Sequence, residues 1–270
     1  MSIQTLHLHS TTKAHLSMLE KKIPQGLMLV GPEGVGLLTI ARALAKSSGA
    51  VAQIVGDEAG NITIQTVREL YVRTRSKTSQ KEIFILDNAE GMGRDAQNAF
   101  LKLLEEPNKT TYFILTAHDK SALLPTILSR VQVVEVKRMT RPASAALLRA
   151  HGVTEADKLA QLLFIASGLP AELLRLTADE AYQRGRIAAA SQAKQFLTGT
   201  MYQRIAMISS ISSRDEATEM LALSLQMLRV QLGQHRTTDV LHKINMIVAA
   251  KERIEANGHI RTQLLRIALL

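Results

Sequence analysis

The sequence predicts an α/β domain built on a parallel sheet with helices on both faces, followed by a small helical domain and an all-helical bundle. Three observations carry this. Short apolar runs alternate with helical periodicity through about residue 136. Beyond Lys137 the strand signal disappears and only helical patterns remain. The composition is rich in Leu and Ala with only 3% aromatic residues and no Trp, a balance that favours helices over an all-β design.

The elements follow in order. Gly26-Leu-Met-Leu-Val30 reads as a buried strand running into a Gly/Pro-rich loop, and Leu38 to Lys46 as the helix after it. Glu82-Ile-Phe-Ile-Leu86 is a second strand. Ala96, Ala99, Phe100, Leu103 and Leu104 then recur on one helical face, and that helix must stop before Pro107. Thr111 to Thr116 forms a third strand and Val131 to Val136 a fourth. Arg141-Pro142 marks a break, and short helices fill Ala143 to Leu176 with a turn at Gly168-Leu-Pro170. Long helices occupy the final third. Met220, Leu223, Met227 and Leu228 make one apolar stripe, and Ile244, Ile247, Val248 and Ile254 another that ends at Asn257-Gly258. The expected domains are 1–138, 139–183 and 184–270.

With 270 residues the chain can bury a substantial core. It has no Cys, which removes disulfides and thiolate zinc sites together. The eight His are scattered, with His7 and His9 in a polar N-terminal stretch, so no metal is expected. No apolar run is as long as a membrane span, and Met1 to Ser10 lacks a signal-peptide pattern, so a cytoplasmic location is expected. The net charge is +9, and it is unevenly spread: from Arg184 onward there are 12 Lys/Arg against 6 Asp/Glu. That asymmetry suits either solvated basic helix faces or a nucleic-acid partner.

Gly31-Pro-Glu-Gly34-Val-Gly36-Leu37-Leu38 lies between the first strand and its helix, where a phosphate-binding loop of the form G-x-x-x-x-G-K-[ST] would lie. Such loops wrap phosphates with backbone N–H groups, neutralise them with the Lys, and hold Mg²⁺ through the hydroxyl. Here Leu37 replaces the Lys and Leu38 the Ser/Thr. Thr39 comes one residue late, about 100° further round the helix. Lys46 is too far along the helix to substitute. The second strand ends Asp87-Asn88 where an active site of this class ends Asp-Glu, and an amide cannot act as a base. Gly31, Gly34, Gly36 and Asp87 therefore outline a nucleotide site that has lost its chemistry. No cofactor is required, although passive ATP or ADP binding is left open. No Ser/His/Asp order or paired carboxylates stand out, and Glu105-Glu106 read as exposed helix-end residues.

Four stretches together resemble the core of bacterial clamp-loader subunits, the gamma/tau and delta-prime components of the DNA polymerase III holoenzyme. They are Glu82 to Glu90, Ala96-Gln-Asn-Ala-Phe-Leu-Lys-Leu-Leu-Glu-Glu-Pro107, Tyr112 to Thr116, and Leu124-Pro-Thr-Ile-Leu-Ser-Arg130. The resemblance is strong from about 25 to 136, looser over Ile62 to Leu70, and weak at Ala256 to Leu265. It implies an AAA+ module, a helical lid and a helical collar through which motor, delta-like and delta-prime subunits form a ring. That ring binds ATP, opens a sliding clamp and places it on primer-template DNA.

The resemblance also implies residue roles. Delta-prime subunits lack a competent ATP site and give a neighbour's ATP an arginine from a Ser-Arg-Cys motif. Ser129-Arg130 matches its first two positions and Val131 replaces the Cys, which makes Arg130 a trans-acting arginine finger. Thr116 falls at a polar sensor position, or is only a satisfied strand-end hydroxyl. Ala171 stands where motor subunits carry a second-sensor Arg, and this points to delta-prime rather than gamma. The four-Cys zinc module of larger members is missing. The alternative reading is a non-replicative DNA-binding or scaffold protein on an inactive AAA+ module, its basic C-terminal bundle gripping DNA.

Overall fold

A computed structural model describes residues 2–57, 60–75, 80–234 and 237–269. The chain divides into two compact units: Met1–Thr154 with Ala166–Leu174, and Glu155–Ile165 with Arg175–Leu270. The stretch 139–183, expected to stand alone, is thus shared between them.

In the first unit the strands are β1 (Gly26–Val30), β2 (Val51–Val55), β3 (Glu82–Leu86), β4 (Thr111–Ala117) and β5 (Gln132–Glu135). They form one five-stranded sheet in the order β2-β3-β4-β1-β5, and every pair is parallel. Helix α1 (Ser10–Lys21) precedes them, the helices between them are α2 (Leu37–Ser47), α3 (Ile64–Thr74), α4 (Arg94–Glu105) and α5 (Pro125–Leu128), and α6 (Arg141–Ala150) follows the sheet.

In β1, β3 and β4 the side chains alternate between two buried faces, which is why these strands read as nearly unbroken apolar runs. Leu27, Leu29, Ile83, Ile85, Ile114 and Val134 pack with Leu16 of α1 and Ile40 and Leu44 of α2. Met28, Phe84, Leu86, Phe113 and Leu115 face the other way, onto Val67 and Leu70 of α3 and Phe100 and Leu103 of α4. There Phe100 meets Phe113 edge-to-face at 5.2 Å.

The sheet has one strand more than the periodicity predicts. β2 lies at the edge, where Val51 and Ile54 are exposed and only Val55 is buried, so it has neither a clean alternation nor a buried apolar run. Helix α1 also lies outside the sequence reading.

The second unit holds α7 (Ala156–Ala166) up to Ile165, and the end of α8 (Pro170–Ala178). It continues with α9 (Glu180–Thr198), α10 (Met201–Ser210), α11 (Arg214–Gln234), α12 (Thr238–Glu255) and α13 (Ile260–Ala268). Helix α11 packs between α9 and α12, and α13 closes on α10 and α12. Met220, Leu223 and Leu228 are buried as the stripe predicts, with Met227 half-buried; Ile247 and Ile254 are the buried members of the second stripe. Asn257 in the left-handed conformation ends α12, and the Gly258 N–H donates to the Arg253 carbonyl at 2.7 Å. Among the described residues no helix is long and apolar enough to cross a membrane.

Candidate functional site

Two groups of residues lie at opposite ends of the strands. Gly31 follows β1, Asp87 follows β3 and Thr116 is near the end of β4, so the Gly31–Gly36 loop and its companions sit at the carboxyl ends, where open parallel sheets hold ligands. Arg130 precedes β5, and Glu105 ends the helix that precedes β4, so both sit at the amino ends.

At the carboxyl ends, backbone packing accounts for the glycines. A Cβ on Gly31 would come within 2.7 Å of the Val136 carbonyl oxygen, because the loop leaves β1 against the end of β5. Gly34 and Gly36 have φ of 79° and 89°, a region that L side chains rarely adopt. The Ala171 N–H donates to the Gly34 carbonyl at 3.2 Å, and Leu169 lies over Gly34. The segment 169–171 therefore closes on the loop with an apolar residue and a backbone bond.

Leu37, at the Lys position, is only 4% exposed and belongs to the core that includes Leu29, Ile40 and Val134; Leu38 is half-buried against the same core. Thr39 is exposed, and Lys46 lies in the last turn of α2, roughly 14 Å along the axis from Leu37. These residues do not fit a bound Mg²⁺-triphosphate: the first helical turn presents apolar side chains where the lysine and the metal-bound hydroxyl would be.

Asp87 is anchored to the neighbouring strand through one carboxylate oxygen. The fully buried Thr116 hydroxyl donates to its carboxylate at 2.5 Å and accepts from the Asn88 N–H at 3.0 Å. Thr116 is thus the hydroxyl that ties β3 to β4. Asn88 has φ 52°, a left-handed conformation that Asn tolerates better than Glu, so the Asp-Asn end of β3 fits its backbone. Beside it, His118 donates its N–H to Glu90 at 2.7 Å, and its ring Nδ1 meets the Gly31 carbonyl at 2.8 Å. Lys120, in the turn after β4, hydrogen-bonds Glu135 on β5 at 3.0 Å and lowers the pKa of its carboxyl from the ordinary value.

At the amino ends, Pro125 starts α5, and the Ser129 and Arg130 N–H groups close it by donating to Pro125 and Ile127 at 2.9 Å each. The Ser129 hydroxyl and Arg130 Nη1 converge on the Thr126 carbonyl at 3.0 and 2.9 Å. Arg130 Nη2 pairs with Glu105 at 2.9 Å, both side chains being partly exposed. The turn is seated on Gly26, whose Cβ would lie 3.1 Å from the Arg130 carbonyl oxygen. A groove of about 240 Å³ opens here, bordered by Gly26, Leu104, Pro107 and Arg130.

Two contributors have no role in the sequence reading. Gln97 is 3% exposed, donates to the Met92 and Ala122 carbonyls at 2.9 and 3.1 Å, and accepts from the Leu124 N–H at 2.8 Å. It fastens α4 to the loop that launches α5, and so orients the Arg130 turn. A polar residue on the apolar side of a helix was its only signal. The other is Glu105: an exposed helix-end residue, as read, but paired with Arg130.

Residues 49–140 match the family model for the DNA polymerase III delta subunit, a span that includes Asp87, α4, Thr116 and Arg130. The chain is 37% identical over 122 residues to the DNA polymerase III subunit delta' of Pseudomonas aeruginosa, covering 43% of this chain and 36% of that one. It is 30% identical over 147 residues to the Haemophilus influenzae delta', covering 54% and 42%. The chain spans less than half the length of the curated relatives it matches. Among solved structures, a DNA polymerase III gamma subunit-related protein from Thermotoga maritima aligns with TM-score 0.55 and 18% identity over 94% of this chain and 97% of that one. A RuvB from the same organism aligns with TM-score 0.56 and 11% identity over 77% and 84%. The chain shares with these solved structures an α/β fold with a helical C-terminal part, and over part of its length it is similar in sequence to DNA polymerase III delta' subunits.

Proposed function

We propose that this chain is the non-hydrolysing, delta-prime-like member of a clamp loader, and that Arg130 acts on ATP held by a neighbouring motor subunit. The position of Arg130 carries the reading. Its turn lies at the amino end of β1, beside Gly26, whereas Gly31 begins the chain's own loop five residues later. At about 3.3 Å per residue that is roughly 16 Å along the strand. A guanidinium so placed is a strand's length from its own loop, and suits charge that arrives from outside the chain.

In this reading the motor subunit binds the nucleotide and supplies the nucleophilic water. Arg130 contributes a fixed cation where negative charge develops, held by Thr126 and the Ser129-capped turn. The loop Gly31–Gly36 and Asp87 serve the fold, and any nucleotide there is held passively, without zinc or another required cofactor. Residues 1–138 are the AAA+ module, 139–183 act as the lid and 184–270 as the collar that joins gamma/tau-like and delta-like subunits. The assembled ring opens a sliding clamp and delivers it to primer-template DNA in the cytoplasm.

The test is division of labour. The purified chain should turn over no ATP, and should co-elute with the motor subunit of the same organism and raise its clamp- and DNA-stimulated turnover. Hydrolysis by the chain alone, or no association with the motor, would overturn the assignment. Salt-sensitive binding of the lone chain to duplex DNA, with no motor association, would instead favour the scaffold reading.

A further inference from the structure

Resting on that reading, we infer that Glu105 is a positioning residue for the finger, an internal counter-ion that parks the Arg130 guanidinium and competes with the neighbour's phosphate for it. The two residues come from different elements, the last position of α4 and the turn after α5. Their contact is a direct 2.9 Å charge-assisted bond. Arg130 divides its donors: Nη1 is held by the Thr126 carbonyl at 2.9 Å, which fixes the turn, and Nη2 is given to Glu105.

A carboxylate offers a guanidinium the same things that a phosphate does, negative charge and acceptor oxygens that match its planar fork. Glu105 thus occupies the half of the guanidinium that an incoming phosphate would use. The pair is open to solvent, with side-chain exposures of 37% for Arg130 and 48% for Glu105, so it is weak enough to exchange. Before assembly the contact keeps a long, rotamer-rich side chain near one orientation; after assembly it is the contact that phosphate must displace. The carboxylate also stands at the C-terminus of α4, where the helix dipole disfavours negative charge, and this loosens its hold on the helix end.

Displacement of an internal competitor weakens nucleotide binding and transition-state contact alike, so it acts on KM more than on kcat. The experiment measures the ATP dependence of stimulated turnover in the assembled complex for wild type, Glu105→Gln, Glu105→Asp, Arg130→Ala and the double variant Glu105→Gln/Arg130→Ala. Removing the charge should lower KM about 2- to 5-fold, the range of an exposed pair, and change kcat by less than about 2-fold. Glu105→Asp, which keeps the charge, should return KM toward wild type. In the Arg130→Ala background the Glu105→Gln effect should vanish. A KM unmoved by Glu105→Gln, or moved equally in both backgrounds, overturns the role of Glu105 while leaving the finger intact. Wild-type turnover in assembled Arg130→Ala overturns the finger, and the inference with it.

Discussion

Replacing Gly31 with Ala tests whether the glycine frame of the loop is kept for packing rather than for phosphate. The added Cβ would lie 2.7 Å from the Val136 carbonyl oxygen and 3.1 Å from Val35 Cγ1. The first neighbour is backbone, so no rotamer change relieves the clash, and overpacking of this kind costs about 1–3 kcal/mol. The shift also loads two flanking bonds, Val136 N–H to Val30 at 2.7 Å and Gly31 N–H to Ala117 at 3.2 Å, each contributing about 1 kcal/mol. Lower unfolded-state entropy of Ala returns about 0.4–1 kcal/mol. The expected net loss is about 2–4 kcal/mol. Gly185, mid-helix in α9 with open space around its would-be Cβ, is the control: Ala there should stabilise by about 0.5–1 kcal/mol. Urea melts followed by far-UV circular dichroism, without nucleotide, read both. A Gly31→Ala chain as stable as wild type would refute the packing argument and return the glycine to ligand binding.

Gln97→Ala should cost about 2–4 kcal/mol in the same melts, because it strands the carbonyl of the buried Met92, the Ala122 carbonyl and the Leu124 N–H of the segment that leads to Arg130; a loss below about 0.5 kcal/mol would contradict this. Restoring the loop motif as Leu37→Lys with Leu38→Ser should yield no ATPase in the isolated chain. It should lower stability by about 2–4 kcal/mol, since Leu37 leaves the core and an ammonium must snorkel out of it. Turnover by the restored chain would show that only the two side chains had disabled the site.

How much the sequence revealed followed from burial. The three central strands, β1, β3 and β4, and α4 were legible because side chains buried on both faces make continuous apolar runs and α4 shows one apolar face to the sheet; β5, at the other edge, was legible only through the valines of its 131–136 run. β2 was not, because an edge strand with Val51 and Ile54 in solvent carries no pattern that separates it from a loop. The departure of the loop from the phosphate-binding pattern was readable at Leu37 and Asn88, although the reasons for what surrounds them were tertiary. Nothing local says that Gly31 meets Val136, or that Thr116 reaches Asp87. Arg130 was visible only through the motif around it. Glu105 lies 25 positions away, and their pairing depends on how α4 and α5 are brought together at the amino ends of the strands.

The role proposed for Arg130 is tested by stimulated ATP turnover of the complex of this chain with its motor subunit, comparing wild type, Arg130→Lys and Arg130→Ala at matched assembly. Arg130→Ala should assemble normally but lose most of the stimulated rate, about 10-fold or more for a transition-state cation. Arg130→Lys should recover only part of it, because an ammonium lacks the planar fork. Full activity in the assembled Arg130→Ala complex would contradict that role.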